Sequence, residues 1–562
     1  MHPLFERHLP RLEAAVDACR TRGCWSPFVE SPSRRFHPEG AKAEGLAWFE
    51  SQLSQPFDLD LPGSTGRVGA EISPYTAEPL GVTYPEVQVE PLVAAMVQAM
   101  PTWVQAGPQT RVGLCMEMLD RMAAHVFHNA YATMHTGGQG FMTAFAGSGA
   151  NSLDRGLEAL AHAHIAMSAI PTESTFERSF GHGPVKLRKR YYLRPRGVAV
   201  VIACGSYPAW NAWPALFANL ATGNPVVLKP HPMAILPVAL GARICREVLA
   251  EAGFDPNLVT LAAEAPDGRI AQSLVGHRDV AIIDFTGSPR FGAWLEQNCR
   301  RDQLLYTETA GCNAVVLESV RDLEPALQAI AQSLCLFSGQ MCTTAQNIFV
   351  PRSGVRMIDE EGGEQVVPFE EVAQQLVAAV DALVAEPAHA AGLCGALHSA
   401  DTQRTLDLVQ SRAADEDAVL RPWSPYDHPE HPSARTATPL VVQVPVGSEL
   451  YRQEWFGPIG FVIPTADRDE ALQRAAEDAA AHGSIAAYGY SVDDAFLDEI
   501  EQAYIEAGAS IGLNLLGQRP INFAAAYSDY HVTGLNPAGT ACLTDLAFVA
   551  DRFRVVQCKR EI

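Results

Sequence analysis

From Gly197 onward the chain alternates short apolar runs with longer stretches of helical spacing. Gly197-Val-Ala-Val-Val-Ile202 and Asn224-Pro-Val-Val-Leu-Lys229 read as buried strands, and Leu258–Leu261 and Val280–Phe285 supply two more. Between them, Trp213 to Leu220 and Ile235 to Ala252 carry the apolar period of helices. Strands that are apolar on both faces and joined through helices predict a parallel sheet covered on both sides. Such a sheet receives ligands at the carboxyl ends of its strands. Upstream, the first 40 residues predict an amphipathic helix followed by a Pro/Ser-rich connector from Ser26 to Pro38. A Gly-rich loop is expected around Gly63 to Gly69, and packed helices over residues 90–170. Val185 to Tyr192 interleaves basic and apolar residues, which predicts an exposed hairpin that meets solvent or another subunit.

Composition narrows the function classes. With 562 residues the chain has room for several domains, and 48% hydrophobic against 19% charged residues is ordinary for a folded protein. A formal net charge of −23 repels phosphate backbones and argues against general nucleic-acid binding. The 12 cysteines are scattered; Cys19 and Cys24 lie close together, but nothing completes a zinc ligand set, so no metal is expected. Met1 to Arg7 lack the apolar core of a secretory signal, and no apolar run reaches the ~20 residues of a membrane span. The expectation is a reducing cytoplasm, no membrane, and chemistry carried by single thiols.

Four places carry candidate chemistry. Lys229 ends a strand and faces the crevice where a nucleotide would lie. Phe285-Thr286-Gly287-Ser288-Pro289 runs from a strand through a glycine turn into a helix, whose free N–H groups suit a pyrophosphate. In Ser338-Gly339-Gln340-Met341-Cys342-Thr343-Thr344, a cysteine follows the amphipathic helix Ala329 to Phe337 and a glycine turn. A thiol becomes a nucleophile when a base takes its proton. Glu308, in Tyr306-Thr307-Glu308-Thr309-Ala310-Gly311, ends an extended stretch and can serve as that base.

Glu-x-x-Gly ahead of a cysteine at position +34, the Phe-Thr-Gly-Ser turn, the Leu-Lys-Pro strand end and Glu454-Trp455-Phe456-Gly457-Pro458 together resemble the aldehyde dehydrogenase superfamily, in its order and near its spacing. The resemblance implies an α/β fold with a Rossmann-type nucleotide domain, an α/β catalytic domain and a β-hairpin oligomerisation element. It implies that Cys342 attacks an aldehyde to give a thiohemiacetal, then a thioester that Glu308-activated water hydrolyses. Lys229 would hold the adenine ribose, Gly287 and Ser288 the pyrophosphate, and Glu454 with Phe456 the nicotinamide ribose. Three departures stand out. The family's oxyanion asparagine is replaced, on register, by Ser206, with Asn211 as the alternative a few residues on. His231-Pro232 stands where NAD-using members have Ala-Glu, which leans towards NADP, with His231 or Lys229 pairing a 2′-phosphate and NAD still possible. The usual Pro-Phe-Gly-Gly region is replaced by Ala525-Ala526-Tyr527-Ser528-Asp529-Tyr530-His531, an unusual substrate mouth.

Within the superfamily, His2-Pro3-Leu4-Phe5-Glu6, Thr65-Gly66-Arg67-Val68-Gly69, His135-Thr136-Gly137-Gly138-Gln139 and the Cys342 segment resemble the ring-opening aldehyde dehydrogenases of phenylacetate degradation, the PaaN type. That likeness implies a CoA-linked substrate, 3-oxo-5,6-dehydrosuberyl-CoA semialdehyde. Two alternatives are a CoA-acylating dehydrogenase, which has no use for Glu308, and a silent binding protein on the same fold. The expected organisation is a nucleotide domain over 1–180 and 197–309, a catalytic domain over 310–535, and an oligomerisation element from 181–196 and 536–562. Exposed strands seek a partner edge, so a homodimer or homotetramer is expected.

Overall fold

The computed structural model describes residues 2–181, 183–309, 311–415, 417–517, 521–541, 543 and 545–562. Ala310, the expected first residue of the catalytic domain, lies outside the described residues.

Two parallel-rich sheets and an antiparallel three-stranded sheet hold most of the strands among the described residues. A hairpin comes first, β1 (Glu173–Phe180) and β2 (Gly183–Pro195). The nucleotide-type sheet then uses β3 (Val198–Ile202), β4 (Val226–Lys229), β5 (Val259–Leu261), β6 (Val280–Gly287) and β7 (Leu304–Thr309). Its strand order is β5-β4-β3-β6-β7, all parallel. The chain starts in the middle and winds outward both ways, so the order reverses between β3 and β6, where a ligand crevice opens. β3 and β4 are buried at every position, as expected of strands covered on both faces. Helices Pro208–Thr222, Leu236–Glu251 and Ser152–Ser168 pack around this sheet in one continuous core.

The second sheet contains β8 (Ala314–Leu317), β9 (Asn347–Pro351), β10 (Val419–Arg421), β11 (Leu440–Gln443), β12 (Ile459–Thr465), β13 (Ala486–Tyr490) and β14 (Ser510–Leu513). Their order is β10-β11-β12-β9-β8-β13-β14, with β10 alone running antiparallel to its neighbour. Separate clusters of buried residues fill its two faces.

Four expectations need correction. Gly63 to Gly69 is not a loop: Ser64–Val68 is a strand paired antiparallel with Tyr84–Val87. Gly69 is needed because a Cβ there would meet the Val82 carbonyl at 2.0 Å. The hairpin begins at Glu173 rather than 181, because the acidic residues of β1 stand opposite the basic ones of β2. Glu173 pairs with Arg190 at 3.3 Å and Glu177 with Lys186 at 3.6 Å. The helix before Cys342 spans Leu323–Cys335, and Phe337 lies beyond it in a left-handed conformation. Finally, the segment 536–562 does not form one element. Residues 538–540 lie along the outer edge of β7, where Thr309 N donates to Ala538 O at 2.6 Å and Thr540 N to Thr307 O at 2.9 Å. Helix Leu546–Ala550 sinks Phe548 and Val549 into the nucleotide-sheet core, and Arg552 pairs with Asp284 of β6. Only β15 (Phe553–Glu561) joins the hairpin, pairing with β2 from Phe553–Pro195 to Glu561–Leu187. Among the described residues, no single helix is long and apolar enough to cross a membrane.

Candidate active site

The site forms where the two large sheets face each other. β3, β4, β6 and β7 end at Ile202, Lys229, Gly287 and Thr309, so the Ser206 loop, Lys229, Ser288 and Glu308 share one edge of the nucleotide sheet. Cys342, Asn313, Ser484 and the Glu454 segment stand just before β9, β8, β13 and β12, at the amino edge of the other sheet. The sequence set these residues far apart; the topology brings them together.

The loop carrying Cys342 is held in a strained shape. Phe337, Ser338 and Gly339 have φ of 50°, 49° and 60°, three left-handed residues in succession, two of them not glycine. Each such non-glycine residue costs about 1–3 kcal/mol and persists only where its surroundings over-determine it. Here they do. Ser338 Oγ donates to Cys394 O at 3.1 Å, and Gln340 Nε2 donates to Phe337 O and Ala396 O, both at 3.1 Å. A Cβ on Gly339 would meet the Gly457 carbonyl at 2.5 Å, so the Glu454–Pro458 segment presses directly on this turn. Asn313 completes the clamp. Its Nδ2 donates to Cys342 O at 2.7 Å and Thr344 O at 3.1 Å, while its Oδ1 accepts from Ile485 N at 2.9 Å and Ala486 N at 3.1 Å.

Cys342 is partly buried against Ile485, Val532 and Ala538. The Glu308 carboxylate, the Cys342 sulfur and the His531 imidazole lie within 4.8 Å of one another. Burial, and after it the charge of Glu308, pushes the thiol well above its usual range, so the resting sulfur keeps its proton. Glu308 is buried and both its oxygens are engaged: Asn211 Nδ2 donates to Oε2 at 3.0 Å and His531 Nε2 lies 2.8 Å from Oε1. Cys204 S–H donates to Asn211 Oδ1 at 3.5 Å, which turns the amide N–H towards Glu308. One of the two Asn211 N–H groups is thus engaged by the carboxylate. Ser206 sits in the loop after β3, its carbonyl accepting from Gln139 Nε2 at 2.7 Å and its hydroxyl 4.0 Å from the Cys204 sulfur.

The nucleotide edge also differs in part from the sequence expectation. Lys229 pairs with Glu264, a residue the sequence reading passed over because it lies beyond β5 in an irregular stretch. Glu264 Oε2 in turn accepts from Ile270 N at 2.8 Å. His231 provides no cation: burial, with His398 and Lys229 nearby, pushes its imidazole down to about 3, and its Nδ1 accepts from Met233 N. Ser288 is exposed and caps helix Pro289–Asn298, accepting from Phe291 N at 3.4 Å, with Gly287 beside it. Burial alone pushes the Glu454 carboxyl up to about 8, with no cation to offset it. Phe456 follows in the same segment, and Trp455 is fixed by Gln346, whose Oε1 accepts from Trp455 N at 3.1 Å. A nicotinamide dinucleotide fits this donor set. The exposed Ser288 turn offers N–H groups to an anion, and the unpaired Glu454 carboxyl lacks the hydroxyl donors a ribose would bring.

His531 is the neighbour of Glu308 and Cys342 that the sequence did not point to. The replaced 525–531 segment was the signal, but only its last residue enters the site. Two of the PaaN-like residues lie in the surrounding scaffold: His135 stacks on Phe49 and bonds Ser73, and Gln139 holds the Ser206 loop.

Comparison with known proteins agrees with this geometry. N-succinylglutamate 5-semialdehyde dehydrogenases from Burkholderia ambifaria and Burkholderia cenocepacia are 30% identical over 343 residues, 61% of this chain. The match spans 64% of the length of these curated relatives. A crystal structure of an NAD-dependent aldehyde dehydrogenase from Burkholderia multivorans superposes with a TM-score of 0.96 at 44% identity, covering 100% of this chain and 99% of that one. The 1-pyrroline-5-carboxylate dehydrogenase from Thermus with bound NAD, at 18% identity and a TM-score of 0.75, shares the fold. The profile of the aldehyde dehydrogenase family matches residues 63–501, and this chain belongs to that family.

Proposed function

We propose that this protein oxidises an aldehyde to a carboxylic acid with a nicotinamide cofactor, through a covalent intermediate on Cys342. The observation that carries this reading is the Glu308 carboxylate lying within 4.8 Å of the Cys342 sulfur, at the meeting edge of the two sheets. The sulfur bonds the carbonyl carbon as its proton passes to solvent and the carbonyl pair moves to oxygen, giving a thiohemiacetal alkoxide. The alkoxide oxygen needs donors already in place; the backbone N–H of Cys342 and the Ser206 hydroxyl are the proposed pair, each worth about 2.7–4 kcal/mol where such donors have been removed. The bound cofactor supplies a hydride acceptor. Glu308 then takes a proton from water, whose oxygen displaces the Cys342 sulfur from the thioester left by hydride loss. A carboxylate placed here favours release of free acid over transfer to a thiol.

Lys229, Gly287, Ser288, Glu454 and Phe456 are proposed to hold the cofactor. NAD is proposed over NADP: Glu264 neutralises Lys229, and the neutral His231 offers a 2′-phosphate nothing to pair with. The proposed substrate is a semialdehyde bearing a remote acidic group. The relatives named above take N-succinylglutamate 5-semialdehyde by their names, and the PaaN-type likeness points to the CoA-linked 3-oxo-5,6-dehydrosuberyl semialdehyde. The exposed three-stranded sheet of β15, β2 and β1 supports a homodimer or homotetramer. The test is nicotinamide reduction by purified protein with NAD or NADP and a panel of semialdehydes, with and without free CoA. Reduction without CoA is expected; strict dependence on CoA, or none with any aldehyde, would overturn the reading.

A further inference from the structure

One nitrogen of His531 faces both reacting groups. Nε2 lies 2.8 Å from Glu308 Oε1 and 3.6 Å from Cys342 Sγ. An ionised carboxylate only accepts hydrogen bonds, so Nε2–H is the donor of this contact and Glu308 its acceptor. Nδ1 is buried and without a hydrogen-bond partner among the described residues. A buried polar atom left this way costs stability, so the ring is not placed here for packing alone. The ring is held: Trp210 meets it edge-on at 4.7 Å, and the Arg155 guanidinium lies over Trp210 at 5.2 Å.

We propose that His531 is a positioning residue for the hydrolytic half-reaction. With Asn211 on one oxygen and His531 on the other, the Glu308 carboxylate has its plane fixed and stays turned towards the sulfur. In hydrolysis the water oxygen bonds the acyl carbon and a water proton passes to Glu308. The C–S bond breaks with its electron pair on sulfur, and the proton held by Glu308 returns to that sulfur. Nε2–H steadies both the carboxylate that receives the proton and the sulfur that leaves. Attack on a fresh acyl donor needs less of Glu308 and so depends less on His531.

The proposal rests on Cys342 being the nucleophile, and the test separates the two. p-Nitrophenyl acetate acylates a reactive thiol with no nicotinamide present: the burst of nitrophenolate reports acylation and the steady rate reports hydrolysis. His531→Phe keeps the ring bulk and removes the donor; His531→Gln keeps an N–H at similar reach. The Phe variant is expected to keep its burst within about threefold of wild type while steady hydrolysis falls at least about tenfold, the scale of a lost hydrogen bond to a charged group. The Gln variant is expected to recover most of the steady rate. Equal losses in Phe and Gln, an unchanged Phe variant, or burst and steady rate falling together would overturn the role of His531. No burst in wild type would overturn Cys342 itself, and this proposal with it. If the Phe variant does not fold, His531→Met, also without a donor, is read against the same outcomes.

Discussion

Replacing Glu308 with Gln should make Cys342 more reactive towards a simple alkylating agent while abolishing turnover. Burial comes first among the causes that hold the thiol in its protonated form, and the neighbouring carboxylate second. The substitution leaves burial nearly unchanged and deletes the charge. At 4.8 Å, the upper limit on their separation, and an effective permittivity of about 20, two unit charges interact by about 3 kcal/mol, and relief of that repulsion raises the thiolate population at fixed pH about a hundredfold. A more acidic thiol is also a weaker nucleophile, with a Brønsted slope near ~0.5, so the net gain in alkylation rate is about tenfold. The assay is the rate of iodoacetamide labelling of the Cys342 peptide, by mass spectrometry, at about pH 8. Turnover should move the other way: without a base for water, the acyl-enzyme persists and steady hydrolysis drops about 10²–10⁴-fold. Labelling of the Gln variant slower than wild type would refute the reasoning, because it would mean that the carboxylate's main effect on the resting thiol is to draw off its proton.

Other consequences are equally direct. Burial holds the Glu454 carboxyl at about 8; ribose hydroxyls donating to it favour the charged form, so NAD binding near neutral pH should release protons. Calorimetry in buffers of different ionisation enthalpy would read that release, and Glu454→Gln should abolish it; proton uptake would contradict the assignment. Glu264→Gln should free Lys229 and lower the KM for NADP about tenfold or more with little change for NAD, by steady-state kinetics. Arg552→Met strands the buried Asp284, which Arg552 meets at 2.6 and 2.8 Å, and should cost about 3–5 kcal/mol in denaturant unfolding. Adding Asp284→Asn should return part of that loss.

The parts of this site that lie at strand ends were legible in the sequence. Lys229, Ser288 and Glu308 each follow a short apolar run, and the place where such a run stops is a local signal. Cys342 was legible from its motif, though not its strained turn, since Phe337 and Ser338 carry no glycine to announce a positive φ. Contacts set by tertiary structure were not legible. His531 is 223 residues from Glu308 and 189 from Cys342, and nothing local marks it as their neighbour. Glu264, from the irregular stretch after β5, places a carboxylate on Lys229 that nothing in the His231-Pro232 segment announces. Asn211 looked like a spare oxyanion donor until its hydrogen bond to Glu308 was seen. The hairpin was seen but started late, because β1 owes its place to charge pairing across to β2 more than to its own alternation.

The strip at residues 538–540 that lies along β7 has a consequence for synthesis. Glu308, Cys342 and the Glu454 segment all leave the ribosome well before His531 and this strip, and chains fold from the amino end as they emerge. A nascent chain therefore displays its nucleophile with the neighbouring imidazole and the sealing edge still untranslated. With the proposed roles of Cys342 and His531, an interrupted translation product would take up electrophiles on its thiol and discharge them more slowly than the finished chain, as expected of the His531→Phe variant.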